Sequence, residues 1–332
     1  MFVGIDVSKA TLDAAFLAQV SAKARHKVFP NTPAGHNQLL NWLTTHNAKQ
    51  NADPLHVTLE ATGPYAEIVA LALHEAGHIV SLVNPARVRA FGQSELKRTK
   101  TDKADAQLIA RFCALHQPPP WNPPPPELRE LQALVRRIEA LEEMKQMEQN
   151  RLEALEAGAA SDVVAVSLRD HIAYLEQQLN AARHQIEEHI QAHENLREGA
   201  RLLCSIPGIA ETTAALLLAE VGDGTQFDSA RQVAAFAGLV PRLRESGSSV
   251  RGKPRLSKVG SPRLRKALYF PALTALKWNP LIRALGERLK AAGKSRMLIV
   301  GAAMRKLLHI AFGVLKSKQP FNPNFNAQTC TA

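Results

Sequence analysis

Between residues 117 and 130 the chain reads QPPPWNPPPPELRE, with seven prolines from Pro118 to Pro126. Neither a helix nor a central strand can run through such a stretch, because each proline lacks an amide N–H and fixes φ near −65°. The 332-residue chain is therefore expected to fold as separate pieces joined by an extended, semi-rigid spacer. Its length suits about two or three domains, and an apolar fraction of 45% is enough for packed cores rather than a disordered chain.

The pieces differ in charge. Residues 229–332 hold 20 Lys and Arg against two acids, Glu245 and Glu287, a balance of +18, whereas residues 1–228 sum to −7. A folded segment this basic points to a polyanionic partner. The opening MFVGIDVSKATLD has no basic stretch followed by an apolar one, as a secretion signal would. No uninterrupted apolar run reaches the roughly 18 residues of a membrane-spanning helix. Cys113, Cys204 and Cys330 form no CxxC pair, which argues against a zinc site or a disulfide scaffold and suits a reducing cytoplasm. Cys204, in the apolar segment LLCSI, reads as a small core residue.

Four stretches follow from the patterning. In residues 1–116, FVGIDVS, LDAAFLA and ARHKVFPN read as successive strands, then HVTLEAT and HIVSLVNP as strands separated by the helices GHNQLLNWLTTH and YAEIVALALHEAG. ARVRAFGQ and DKADAQLIARFCALH read as further helices. Strands in series, then alternating with helices, predict a mixed α/β sheet. Residues 117–126 are the linker. Residues 127–200 are expected to form two long helices with a turn at 158–161. Leu168, Ile172, Leu175, Leu179, Ala182 and Ile186 step by four and three, which is heptad spacing, and a narrow seam of this kind favours contacts between copies. Residues 201–332 form the basic, mainly helical domain. Its SIPGI segment fits a helix-hairpin-helix turn offering amides to a phosphate, or an ordinary tight helix pair. RLRESGSSVRGKPRLSK reads as a polar, basic loop.

Chemistry is available at two places. Asp6 and Glu60 end predicted strands, and Asp102 and Asp105 share one face of a predicted helix, with Thr101 able to cap it. Carboxylates gathered at one sheet edge suit hard cations with open positions, Mg²⁺ or Mn²⁺. Two such ions about 4 Å apart serve phosphodiester chemistry. The second place is the serine loop, where Ser246, Ser248 and Ser249 are flanked by Arg242, Arg244 and Arg251. A serine needs a base or a metal to become a nucleophile, and arginines can neutralise a phosphate as charge develops. Two basic runs fit phosphate contacts that carry no sequence information. One is Arg87, Arg89, Lys97, Arg98, Lys100 and Lys103, and the other is Lys253, Arg255, Lys258, Arg263, Arg265 and Lys266. Aromatic residues make up 5% of the chain, which argues against recognition of single strands by stacking.

The ordered set GIDVSK, LEATGPY, NPARVRAFGQSELKRTKTDKADA, SIPGI, FAGLVPR and ESGSSVRG resembles the insertion-sequence-110 family of transposases. These are also known as DEDD transposases and are related to the Piv DNA invertases. The resemblance spans almost the whole chain in the family's order. It implies an α/β RuvC-like (ribonuclease H-type) N-terminal domain, an α-helical coiled-coil middle and a mainly α C-terminal transposase domain. It implies that Asp6, Glu60, Asp102 and Asp105 are the catalytic, metal-binding acids, with Mg²⁺ or Mn²⁺ as cofactor. It further implies that Ser246 is a nucleophile forming a phosphoserine link to DNA. The implied partners are donor and target double-stranded DNA, a structured non-coding bridge RNA that pairs with both, and further copies of the chain. A dimer, or a tetramer in the synaptic complex, would combine the acids of one subunit with the serine of another. The implied setting is the bacterial cytoplasm, at the nucleoid when acting. A metal-dependent junction resolvase that hydrolyses DNA without a covalent intermediate is the alternative reading of the same residues.

Overall fold

The computed structural model describes residues 1–20, 22–47, 54–96, 101–158, 161–246 and 250–324, with backbone alone for 243–246 and 250–254. Two compact units meet in the proline segment, Met1–Pro123 and Pro124–Ala332.

The first unit is built on a five-stranded sheet of order β3-β2-β1-β4-β5, comprising β1 (Phe2–Val7), β2 (Thr11–Leu17), β3 (Arg25–Pro30), β4 (His56–Glu60) and β5 (Ile79–Val83). The first three are antiparallel neighbours, and β1, β4 and β5 are parallel. This mixed sheet agrees with the ribonuclease H-type expectation. Side chains alternate between its two faces. Val3 and Ile5 of β1, with Leu12, Ala14 and Phe16 of β2, pack under α1 (Pro33–Asn47) and α2 (Pro64–Glu75). Gly4 and Asp6 turn to the other face, where α4 (Asp102–His116) lies on β1 and β2. α3 (Pro85–Ser94) leans on α4 through Val88, Phe91, Leu108 and Phe112.

The proline segment is not a free spacer throughout. Trp121 N donates to Val80 O at 2.6 Å, and Ser81 Oγ donates to the carbonyls of Pro118 and Pro119, each at 2.9 Å. Its first half therefore straps the open edge of β5, covering the Val80 carbonyl that an edge strand would otherwise leave unpaired.

In the second unit α5 (Pro126–Glu156) and α6 (Asp162–Ala192) are 31 residues each, about 45 Å of helix. They pack against each other, burying Leu131, Val135, Ile138 and Leu141 with Leu175, Leu179, Ala182 and Ile186. Lys145–Glu176 at 2.8 Å and Arg169–Glu156 at 2.7 Å bridge them. The heptad seam is thus used within one chain, which removes its weight as an argument for oligomer contacts. The rest of the unit comprises α7 (Glu194–Cys204), α8 (Glu211–Val221), α9 (Ala230–Phe236), the strands β6 (Pro241–Ser246) and β7 (Val250–Leu256), α10 (Pro262–Trp278), α11 (Pro280–Ala291) and α12 (Arg296–Ser317). α12 is long and apolar enough to cross a membrane, which a search for uninterrupted apolar runs misses because Arg305, Lys306 and His309 break the run. More than half of that stretch is buried, and Leu307, Leu308 and Ala311 belong to the core of the unit.

Candidate functional site: an acidic sheet edge and a serine ribbon

The acidic edge depends on how closely α4 approaches β1. A Cβ at Gly4 would be driven into the backbone of Ala106 and Ala110 and would lie 2.7 Å from Ile109 C. Ala106, Ala110 and Ala114, at i, i+4 and i+8, present small side chains to Ala15 and Leu17 of β2. Only a glycine under a stripe of alanines permits this separation. It sets the first turn of α4, capped by Thr101 Oγ1 accepting from Ala104 N at 3.2 Å, beside the end of β1. Asp102 and Asp105 occupy that first turn, where the positive end of the helix dipole favours carboxylates.

Asp6 faces the same side as Gly4. Its direct cross-strand partner is Asp13. Glu60 stands one residue beyond the Ile5–Leu59 pair of the parallel ladder, at the end of β4, on the Asp6 face. Burial holds the Asp6 carboxyl above the usual carboxylate range. The charges of Asp105, Asp102 and Asp13 push it further up, against one hydrogen bond from the Val7 backbone. Sequence reading missed Asp13, which is 7% exposed and bonded to His26 Nε2 at 2.7 Å. The signal for it is the hairpin register: a tight turn at Ser8–Thr11 returns Asp13 opposite Asp6.

Among the described residues no three carboxylates, imidazoles or thiols stand close enough to hold an ion as they are. The donor chemistry nonetheless fits a divalent cation. A half-buried carboxylate is held among three others, no base is among the groups acting on it, and only hard oxygen donors are offered. Cys113 is no competing nucleophile. Burial pushes its thiol up to about 11, so little thiolate forms at neutral pH.

On the basic side of the first unit, Arg87, Arg89 and Lys103 are exposed, and the Arg87 guanidinium lies 5.4 Å from the Phe112 ring centroid. Lys97, Arg98 and Lys100 lie outside the described residues.

Ser246 ends β6, opposite Val250. The expected loop is instead a two-stranded antiparallel ribbon, separate from the main sheet, with a register shift between Arg242 and Arg244. Ser248 and Ser249 lie outside the described residues, and for Ser246, Arg244, Arg251 and Lys253 only the backbone is described. Arg242 and Arg255 face each other across the strands and are exposed, as are Lys258 and Lys266.

The base of the ribbon is clamped. Ser257 N donates to Val240 O at 2.8 Å, Lys258 N to Gly238 O at 3.2 Å, and Ser261 N to Phe236 O at 2.7 Å. Arg265 Nη1 donates to Ala237 O at 2.9 Å and to Gly260 O at 3.4 Å. Gly260, at φ +134°, has the Phe236 carbonyl where a Cβ would sit. Arg263 is also engaged, with Glu139 at 2.9 Å and Glu220 at 3.8 Å. Glu220 also accepts from Ser261 Oγ at 2.8 Å. Burial holds the Glu139 carboxyl high, and Arg263 pulls it back down. Arg263 and Arg265, expected on nucleic acid, thus have partners within the fold.

The SIPGI turn joins α7 to α8 as a close-packed helix pair. Ile206 and Ile209 are buried, Asn279 Nδ2 donates to Pro207 O at 3.4 Å, and Glu211 opens α8. The turn is therefore held to the protein through its two isoleucines and the Pro207 carbonyl, with Pro207 and Gly208 half-buried and Ala210 exposed. Cys204 corrects its core assignment: it is exposed, because α7 directs Leu202 and Leu203 inward and the next residue outward.

Two family models match the chain, one described as "Transposase" over residues 3–156 and one as "Transposase IS116/IS110/IS902 family" over residues 200–287. The chain is 35% identical over 322 residues to the pilin gene-inverting protein of Moraxella bovis, 97% of each chain. It has the same identity and coverage with that of Moraxella lacunata. It is 36% identical over 103 residues to the transposase for insertion sequence element IS1328 of Yersinia enterocolitica, covering 30% of this chain and 29% of that one. Among solved structures, T. thermophilus RuvC in complex with Holliday junction substrate aligns with 36% of this chain and 100% of its own, at 16% identity and a TM-score of 0.27. The fold is given by the strand order β3-β2-β1-β4-β5 itself. Both models match in chain order and a relative matches from end to end, and on those grounds the protein belongs to the IS110 family of transposases.

Proposed function

We propose that this chain is a DNA recombinase that cuts and rejoins donor and target duplexes through a phosphoserine intermediate at Ser246. In this reading the acidic edge of the first unit holds divalent metal. The observation that carries it is the Asp6 carboxylate, fixed at a strand end by the α4–Gly4 contact and repelled by the neighbouring acids. Asp6, Glu60, Asp102 and Asp105 would hold Mg²⁺ or Mn²⁺, and the bound ions would stabilise charge on the phosphate. The chain's own residues do the rest. Ser246 Oγ attacks the phosphorus and gives up its proton. The bond from phosphorus to one ester oxygen breaks, and that oxygen leaves protonated as a free strand end. One phosphoester replaces another, so bond energy is conserved. A hydroxyl of the exchanged strand then reverses the step and frees the serine.

The ribbon supports this reading. Arg242 directly opposite Arg255 is a like-charge pair, unfavourable on an isolated two-stranded ribbon until an anion lies against it. The lysines and arginines available for contact suit phosphates, and such contacts carry no sequence information. Sequence choice accordingly falls to a structured non-coding RNA that pairs with both DNAs, as the family resemblance implies. Acids and serine sit in different units, in keeping with a site shared between copies of a dimer or synaptic tetramer in the cytoplasm.

The test combines the protein, its element's DNA ends, target DNA, the flanking RNA and Mg²⁺. Rejoined product is expected only with all components, and Asp6→Asn and Ser246→Ala should each abolish it. Cutting that survives Ser246→Ala would make the chain a hydrolytic resolvase.

A further inference from the structure

The outward face of α10 has no role in the chemistry above, yet it carries an unusual set of side chains. Its buried residues are Leu264, Leu268, Ala272 and Ala275. At 100° per residue, Lys266, Phe270 and Lys277 fall on the opposite side. Phe270 is 73% exposed and Trp278, at the helix end, 64%. The Lys277 ammonium stands 4.9 Å from the Trp278 ring centroid, and Tyr269 meets Phe270 edge-on at 5.3 Å. No acid occurs between Pro262 and Trp278, within a region of charge +18. Exposed phenylalanine gains nothing from water, and lysines around it disfavour a second copy of the same basic face. The complementary occupant is a chain of negative charges with flat apolar rings between them.

We propose that the outward face of α10 at Phe270, together with the exposed Trp278 at the end of the helix and flanked by Lys266 and Lys277, is a stacking platform for unpaired nucleotides. Rings stack on the two aromatic side chains, and the lysines take the adjoining phosphates. Eight residues of helix set the two aromatics about 12 Å apart along the helix axis and about 80° apart around it, within reach of a few nucleotides. Duplex DNA, whose bases are already stacked, has nothing to offer these rings. The inference rests on the nucleic-acid reading above and extends it from phosphate contact to single strands, against the expectation drawn from a low aromatic content.

The test titrates the full-length protein with oligouridine, oligodeoxythymidine and a duplex of equal phosphate count. Phe270→Ala should weaken both single strands about tenfold and the duplex less than twofold, and Phe270→Tyr should restore binding. Trp278 emission, taken as wild type minus Trp278→Phe, should be quenched by the single strands only. The salt slope should persist in Phe270→Ala, because the lysines remain. Preference for uridine would identify RNA as the source, and preference for thymidine would identify displaced DNA. Unchanged single-strand affinity in Phe270→Ala would overturn the proposal, as would equal losses on duplex, or a loss of self-association instead. Wild-type protein that binds none of the three probes would refute the nucleic-acid reading itself.

Discussion

Replacing Gly4 with alanine adds one methyl group where the structure leaves no room for it. The new Cβ would lie 2.7 Å from Ile109 C and nearer still to the backbone of Ala106 and Ala110, where ordinary carbon contacts need about 3.5–4.0 Å. Backbone atoms cannot rotate aside, so α4 must retreat by about 1 Å. Overpacking of this kind costs roughly 1–3 kcal/mol, equivalent to a fall of about 5–15 °C in Tm for a unit this size. The retreat also moves Asp102 and Asp105 away from Asp6, and a 1 Å misplacement can cost on the order of 10²-fold in rate. Because the clash is with main chain, trimming Ala106 or Ala110 to glycine should not rescue the variant. Thermal unfolding and DNA rejoining below the lowered Tm measure the two effects separately. If Gly4→Ala unfolds and reacts like wild type, α4 does not set the acidic edge.

Further outcomes follow from the same contacts. The fold favours the protonated form of Asp6. The stability it contributes without metal is therefore present at low pH and lost as pH rises through its folded pKa. Asp6→Asn should be the more stable protein at neutral pH in chelator, and Mg²⁺ should erase that difference by stabilising only the wild type; equal melting in chelator would refute this. Arg265→Gln removes a charged donor from two carbonyls, a loss of about 1.5–3 kcal/mol. Hydrogen exchange at Lys258 and Ser261 should then speed up at least about tenfold, with duplex affinity little changed; a fall in affinity without faster exchange would make Arg265 a phosphate contact. Leu179→Ala, in the buried seam of the arm, should cost about 2–4 kcal/mol at every protein concentration. A cost that disappears on concentrating the protein would mean that the seam forms between chains.

Elements whose apolar pattern matches their period were legible in the sequence. Val3 and Ile5 alternate against Gly4 and Asp6, and Ala106, Ala110 and Ala114 recur at helical spacing, so β1, α4 and the strand-end acids could be placed without coordinates. Asp13 could not, because its meeting with Asp6 is a property of register and not of either strand alone. The β6–β7 ribbon reads as a loop in the sequence because its basic strands PRLRES and VRGKPRL carry Gly252 and Pro254 in the second strand and flank a Gly/Ser-rich stretch, all of them turn and loop signals. Its strands are held by their ladder and by the clamp at its base, not by a core. Heptads specify a seam but not whose helix fills it. Charge counts likewise do not distinguish Arg242, which is exposed, from Arg263 and Arg265, which are committed to Glu139 and to main-chain carbonyls.

The central claim is a bond between Ser246 and DNA, and a trapped reaction tests it most directly. Denatured protein carrying labelled DNA would be digested with nuclease and trypsin, which cuts after Arg244 and Arg251 and so releases the peptide from Glu245 to Arg251. Fragmentation of that peptide separates Ser246 from Ser248 and Ser249. A nucleotide phosphate is expected on Ser246, absent when Asp6 is replaced by asparagine. A phosphate on either of the other serines, or product formed with no serine modified at all, would contradict it.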